Sequence, residues 1–204
     1  VMNPKNGDVL AMAVSPDYDP NTPFAVPVGY EDKWESMTAV ERTTALNTIW
    51  KNRVVTDVYE PGSVFKTVTA AIGIEEGVVK NIDSKDFVCT GKLHIEGWDI
   101  KCWRYYNPHG VQSLREGLMN SCNPVAMTLA FKVGKEKYYS YLNALKVSQK
   151  VGIDLPGEVA GSIHSIKNVT DSTIASAAFG QGFTLTQLNM LTVMCTIANG
   201  GVMM

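Results

Sequence analysis

Ser63 and Lys66 stand three residues apart in Glu60-Pro61-Gly62-Ser63-Val64-Phe65-Lys66. A Pro-Gly turn delivers the chain to Ser63, and the residues from Val64 to Ile72 read on as a helix. That spacing puts the Lys66 amine on the helical face that carries the Ser63 hydroxyl. A serine hydroxyl is a weak nucleophile until a base takes its proton. A lysine serves as that base when burial and a helix N-terminus lower its pKa. The free N–H groups of a first helical turn also favour developing negative charge. The same letters describe an N-cap serine followed by a solvated lysine, and Ser-x-x-Lys occurs roughly once by chance in a chain this long. A second hydroxyl and an amide lie in Ser121-Cys122-Asn123, in the connection between two predicted helices. There the Ser121 hydroxyl can pass a proton and the Asn123 amide can hold a carbonyl. Helix capping by Asn120, Ser121 or Asn123 is the alternative.

The third group is built from sulfur. Of four cysteines, Cys89, Cys102 and Cys122 cluster in the sequence with His109 among them. Three thiolates and an imidazole complete a tetrahedral zinc set. The polar stretches between them are poor at packing on themselves, so a metal would help order them. The competing readings are a Cys89–Cys102 disulfide with Cys122 a buried thiol, or plain thiols throughout. Asp99 and His94 are reserve ligands, with His94 otherwise a surface residue. Cys195, between Met194 and Thr196, reads as core. Trp98, Trp103, Tyr105 and Tyr106 either pack their own loop or line a cleft.

The elements that must position these groups are legible from caps and turns. Met2, the turn Asn3 to Gly7, and Asp8 to Ser15 read as a hairpin whose second strand suits burial on both faces. Residues 22–38 read as loop, and Thr38 to Leu46 as a short helix. The Ser63 helix should end near Glu76, with Gly77 as its cap. About thirty residues of short strands and loops follow, too polar for core. Ser113 to Glu116 is a capping box. Pro124 suits the start of a helix to Val133, and Gly134 separates that helix from another over Lys135 to Leu145. Asp171 is expected to cap Ser172 to Phe179, and Thr184 to Gln187 to form a second capping box before a helix to Ala198.

The chain has 204 residues and a net charge of −2 with both signs interspersed. That argues against a nucleic-acid footprint. No apolar run is long enough to span a bilayer. Both ends read as cut, so the sequence is expected to be an internal piece of a longer protein.

Taken together, Tyr59 to Lys66, His109-Gly110, Ser121 to Pro124, Gly152 to Glu158 and Phe179 to Gly182 resemble penicillin-binding proteins and serine β-lactamases. Met2 to Ala13 resembles the opening hairpin of a class B transpeptidase domain. The family's motif set is Ser-x-x-Lys, Ser-x-Asn and Lys-Thr-Gly. The sporulation and elongation types are most similar. The resemblance implies an α/β (α+β) fold of the β-lactamase type, here its helical part plus the first strands of the antiparallel sheet. It implies peptidoglycan D,D-transpeptidation with Ser63 as nucleophile, Lys66 as base, Ser121 as proton relay and Asn123 on the substrate. Stem peptides and β-lactams are the expected ligands, a glycosyltransferase the expected partner. The implied location is extracytoplasmic, with an anchor outside this chain. Some relatives resemble this chain in placing metal ligands in the same loop and between the second-motif Ser and Asn. Two departures stand out. Lys-Thr-Gly is absent, so the piece alone is expected to be inactive, and Gln187 stands where the family usually has proline. A β-lactamase, with Glu158 activating water, and a β-lactam sensor are the rival functions on the same fold.

Overall fold

The computed structural model describes residues 1–204. Eight α-helices dominate it: α1 (Ala39–Ile49), α2 (Arg53–Thr56), α3 (Lys66–Glu75), α4 (Leu114–Met119), α5 (Asn123–Val133), α6 (Lys135–Ala144), α7 (Asp171–Ala177) and α8 (Gln187–Ala198). Six short strands form three antiparallel pairs. β1 (Val58–Tyr59) pairs with β6 (Leu185–Thr186). β2 (Phe87–Cys89) pairs with β5 (Gly110–Gln112), and β3 (Lys92–Ile95) with β4 (Trp98–Lys101).

The caps explain where the helices begin. Thr38 and Glu41 form a capping box for α1, and Ser113 and Glu116 do the same for α4. Pro124 sits in the first turn of α5, where its missing N–H leaves no intrahelical bond unmade. Gly77 ends the Ser63 helix in the left-handed region, at φ +67°. Two expected caps move by a residue or two. Thr170, not Asp171, caps α7, and Thr186, not Thr184, caps α8. In the second case Leu185 and Thr186 first pair with β1, so the helix cannot start until the strand has ended.

The opening hairpin departs further from expectation. Its turn forms, with the Asn3 N–H on the Asp8 carbonyl at 2.9 Å. Its arms meet at the Met2–Val9 bridge and at Val1, whose carbonyl accepts the Leu10 N–H at 2.9 Å and whose ammonium donates to the Ala11 carbonyl at 2.6 Å. Val9 and Leu10 are exposed. The segment expected to be buried on both faces has only the Val1–Asn3 arm to pair with, and no layer covers it.

The main core lies around α5, which packs against α3, α6 and α7. Phe65, Val68 and Ile72 meet Met127, Ala130, Ile174 and Val193 there. Burying side chains of this size stabilises by about 1.5–3 kcal/mol each. One polar chain crosses this core. The hydroxyls of Thr69 and Tyr138 are 2.7 Å apart, and Thr69 donates to the Ala178 carbonyl at 2.8 Å. A buried hydroxyl left unpaired would be costly, so this chain fixes α3 against α6 and the end of α7. A second cluster joins Phe87, Cys89, Cys102, Leu114, Cys122 and Val125. The stretch read as too polar for core therefore contributes to one, because Phe87, Cys89 and Cys102 turn inward even though Val88, Trp98 and Val111 stay exposed.

Candidate active site

The nucleophile segment is fixed by a glycine contact. The Gly62 N–H donates to the Gly180 carbonyl at 2.8 Å. A Cβ on Gly180, whose φ is +82°, would stand 2.1 Å from the Gly62 oxygen. Only glycine permits that approach. From Gly62 the chain makes a 3-10 turn to Phe65 and continues as α3. Ser63 is thus on the turn, exposed, while Lys66 opens the α-helix with only 3% of its surface accessible.

The helix connection carrying Ser121 and Asn123 comes up against this turn. Lys66 Nζ is 3.0 Å from Ser63 Oγ, 2.9 Å from Ser121 Oγ and 2.7 Å from the Ser121 carbonyl. Ser121 Oγ donates to Ser63 Oγ at 2.9 Å. Three proton-carrying atoms therefore form one closed contact set. Burial lowers the Lys66 pKa to about 8, against the raising influence of the Cys122 and Cys102 sulfurs. A near-neutral buried amine touching a hydroxyl is able to accept its proton. Ser121 adopts φ +48°, an uncommon conformation for a residue with a Cβ. Asn123 donates its Nδ2 to the Lys101 carbonyl at 3.0 Å. Of the capping alternatives for this connection, Asn120 is the C-cap of α4, but neither Ser121 nor Asn123 caps α5, whose N-cap position is held by Cys122 without a side-chain cap bond.

Directly behind Ser121 the four predicted ligands converge. One ligand atom from each of Cys89, Cys102, His109 and Cys122 lies within 4.8 Å of all the others. The three cysteines are buried, and all are free thiols. Cys102 Sγ is 3.6 Å from His109 Nδ1. That is the edge expected of a tetrahedron with Zn–S about 2.3 Å and Zn–N about 2.0–2.1 Å. His109 Nε2 is buried and has no hydrogen-bond partner. Burial pushes the Cys122 thiol up, while for Cys89 burial is outweighed by the N–H groups of His109 and Gly91, which lower it. The donor set and its spacing fit zinc. Asp99 and His94 lie outside it, bonded to each other at 2.9 Å on the β3–β4 hairpin.

Several residues that hold the site were not singled out from sequence. Gln112 accepts from Asn120 at 2.7 Å, and the Lys101 carbonyl acts through the backbone. In the sequence Trp103 stands out only as one of an aromatic run. The run packs on its own loop in part, Trp103 against His109 and Tyr105 against Tyr106 with centroids 5.7 Å apart in each pair, while all four rings stay exposed.

Comparison with known proteins gives the family and the fold. Residues 1–204 match the family described as penicillin binding protein transpeptidase domain. The chain belongs to that family. Stage V sporulation protein D of Bacillus subtilis (strain 168) is 35% identical over 201 residues, which is 98% of this chain and 28% of that protein. Penicillin-binding protein PbpB of Mycobacterium tuberculosis (strain ATCC 25618 / H37Rv) is 33% identical over 99% of this chain and 27% of its own length. Among solved structures, penicillin binding protein 3 from Mycobacterium tuberculosis, complexed with aztreonam, superposes with a TM-score of 0.66 at 33% identity. It covers 72% of this chain and 32% of that one. The transpeptidase domain from Burkholderia pseudomallei penicillin-binding protein 3 shares the fold at a TM-score of 0.68 and 24% identity, over 76% of this chain and 45% of that one. The chain thus spans under a third of the curated relatives named here. No helix is long and apolar enough to cross a membrane.

Proposed function

We propose that the protein carrying this domain is a peptidoglycan D,D-transpeptidase working through a serine ester. One observation carries the reading: the buried Lys66 amine touches the hydroxyls of both Ser63 and Ser121. Neutral Lys66 takes the Ser63 proton as Oγ attacks the penultimate D-alanine carbonyl of a stem peptide. The Ser63 backbone N–H is one donor to the resulting oxyanion. The carbon–nitrogen bond then breaks. Ser121 passes the proton to the departing D-alanine amine, and Asn123 orients the peptide. An amine of a second stem peptide attacks the Ser63 ester, its proton passes through the Lys66–Ser121 pair to Ser63 Oγ as the ester C–O bond breaks, and the cross-link forms with the Ser63 hydroxyl restored. A β-lactam enters by the same first step and stays on Ser63.

Cys89, Cys102, His109 and Cys122 would hold one zinc ion. Four protein ligands leave no open coordination position, so the ion would brace the loop behind Ser121 and Asn123. The acyl-transfer chemistry stays with the side chains. By the same family reading the site works outside the cytoplasm, on an anchored protein beside a glycosyltransferase.

A β-lactamase would need a free carboxylate to activate water. Glu158 does not suit that role, because its carboxylate accepts the N–H groups of Val151 at 2.6 Å and Gly152 at 3.0 Å. A sensor would acylate but not transfer. The deciding experiment incubates full-length protein with a labelled donor stem peptide and an acceptor amine. Cross-linked product supports transpeptidation. Acylation without transfer supports the sensor, and fast penicillin turnover the β-lactamase.

A further inference from the structure

Two residues that flank Cys102 contact two residues that flank the Ser121–Cys122 pair. The Trp103 indole N–H donates to the Asn120 carbonyl at 2.9 Å. The Lys101 carbonyl accepts from Asn123 Nδ2 at 3.0 Å. A third bond holds the same turn from another side, where Asn120 Nδ2 meets buried Gln112. Between these contacts Ser121 is held at φ +48°. A non-glycine residue persists there only when its surroundings over-determine it. Both the hydroxyl and the carbonyl of Ser121 face Lys66 Nζ, so relaxation of this turn displaces atoms that handle the proton.

We propose that Trp103 is a positioning residue for Ser121. Its N–H and the Lys101 carbonyl form a clamp on the turn Asn120–Asn123. The ring itself is 58% exposed and meets the His109 imidazole edge to face with centroids 5.7 Å apart, while the N–H is its hydrogen bond to the turn. The clamp has a firm anchor. Lys101 ends β4, and the Cys102 N–H donates to the Gly91 carbonyl at 2.8 Å. A supporting contact of this kind acts on placement of the reacting groups more than on capture of the ligand.

The kinetic half of the test rests on the acyl-transfer reading; the exchange half does not. The variants are Trp103→Phe and replacement of Trp103 by β-(3-benzothienyl)alanine, which keeps the shape and lacks the N–H. In full-length protein both should lower the rate constant of penicillin acylation roughly three- to tenfold, the factor one hydrogen bond is worth. Affinity of the non-covalent complex should stay unchanged, and Tm should fall by no more than about a few degrees. Amide hydrogen exchange over residues 120–123 should quicken by a similar factor. Unchanged acylation and exchange in the benzothienyl variant would overturn the clamp, as would equal losses in rate and affinity. If the parent protein takes no penicillin, the acyl-transfer reading falls, and the exchange comparison still decides the clamp.

Discussion

The Ser121 hydroxyl donates to the Ser63 hydroxyl at 2.9 Å, across a gap that Lys66 closes from below. The two serines come from different helix connections, and the amine joins them by lying 2.9–3.0 Å from each. A proton taken from one is within reach of the other. The central account follows from that triangle.

If Lys66 is the base, Lys66→Ala should cut the rate of penicillin acylation by about 10²–10⁴-fold. Lys66→Arg should do the same, because a guanidinium stays protonated and accepts nothing. Stopped-flow acylation of both variants checks this. Near-parental rates in either would remove Lys66 from the mechanism.

The pH dependence has a definite sign. Only the neutral amine accepts a proton, and burial brings the Lys66 pKa from its ordinary value down to about 8. Acylation should therefore rise tenfold per pH unit below about pH 7 and level off above about pH 8. A rate that is flat across this range, or that falls as pH rises, would contradict the assignment.

Gly180→Ala places a Cβ against the Gly62 carbonyl at a backbone angle suited to glycine. The nucleophile turn must then shift. The variant should lose at least about 2 kcal/mol of stability and most of its acylation rate. Thermal unfolding and penicillin labelling report the two losses. Parental values in both would mean that the contact with Gly62 sets nothing.

Purified without chelator, the protein should carry about one zinc ion per chain through the set built from Cys89, Cys102, His109 and Cys122. Removing it should lower Tm and make the three thiols reactive together. Cys102→Ser should lower zinc content while leaving Ser63 in place. Metal-free protein with two thiols unreactive until reduced would replace the zinc site with a disulfide.

How far the sequence speaks for the structure depends on how local the cause is. Thr38, Ser113, Pro124, Gly77 and Gly134 act within one turn of their own helices, and their helices start or stop as the residues imply. Thr186 displaced Thr184 as the α8 cap because of pairing with Val58, far back in the chain. The arm from Asp8 to Ser15 has the composition of a buried strand, but burial depends on a covering layer that composition cannot supply. The site divides in the same way. Ser63, Lys66, Ser121 and Asn123 were recognisable by type and motif, and the four metal-ligand candidates by type. Gln112 and Trp103 carry no such signature, because each acts through a bond that exists only once β5 and the loop after β4 have folded onto α4. The aromatic residues illustrate the limit most plainly. Four rings in nine residues suggest packing, and what forms is local, Trp103 against His109 and Tyr105 against Tyr106, with all four rings left exposed to solvent.

The most direct test follows the mass of full-length protein after exposure to penicillin. The account predicts a single adduct of one penicillin, located on the peptide containing Ser63 and missing from Ser63→Ala. An adduct of equal yield in Ser63→Ala, or one located on Ser121 or a cysteine in the parent, would contradict it.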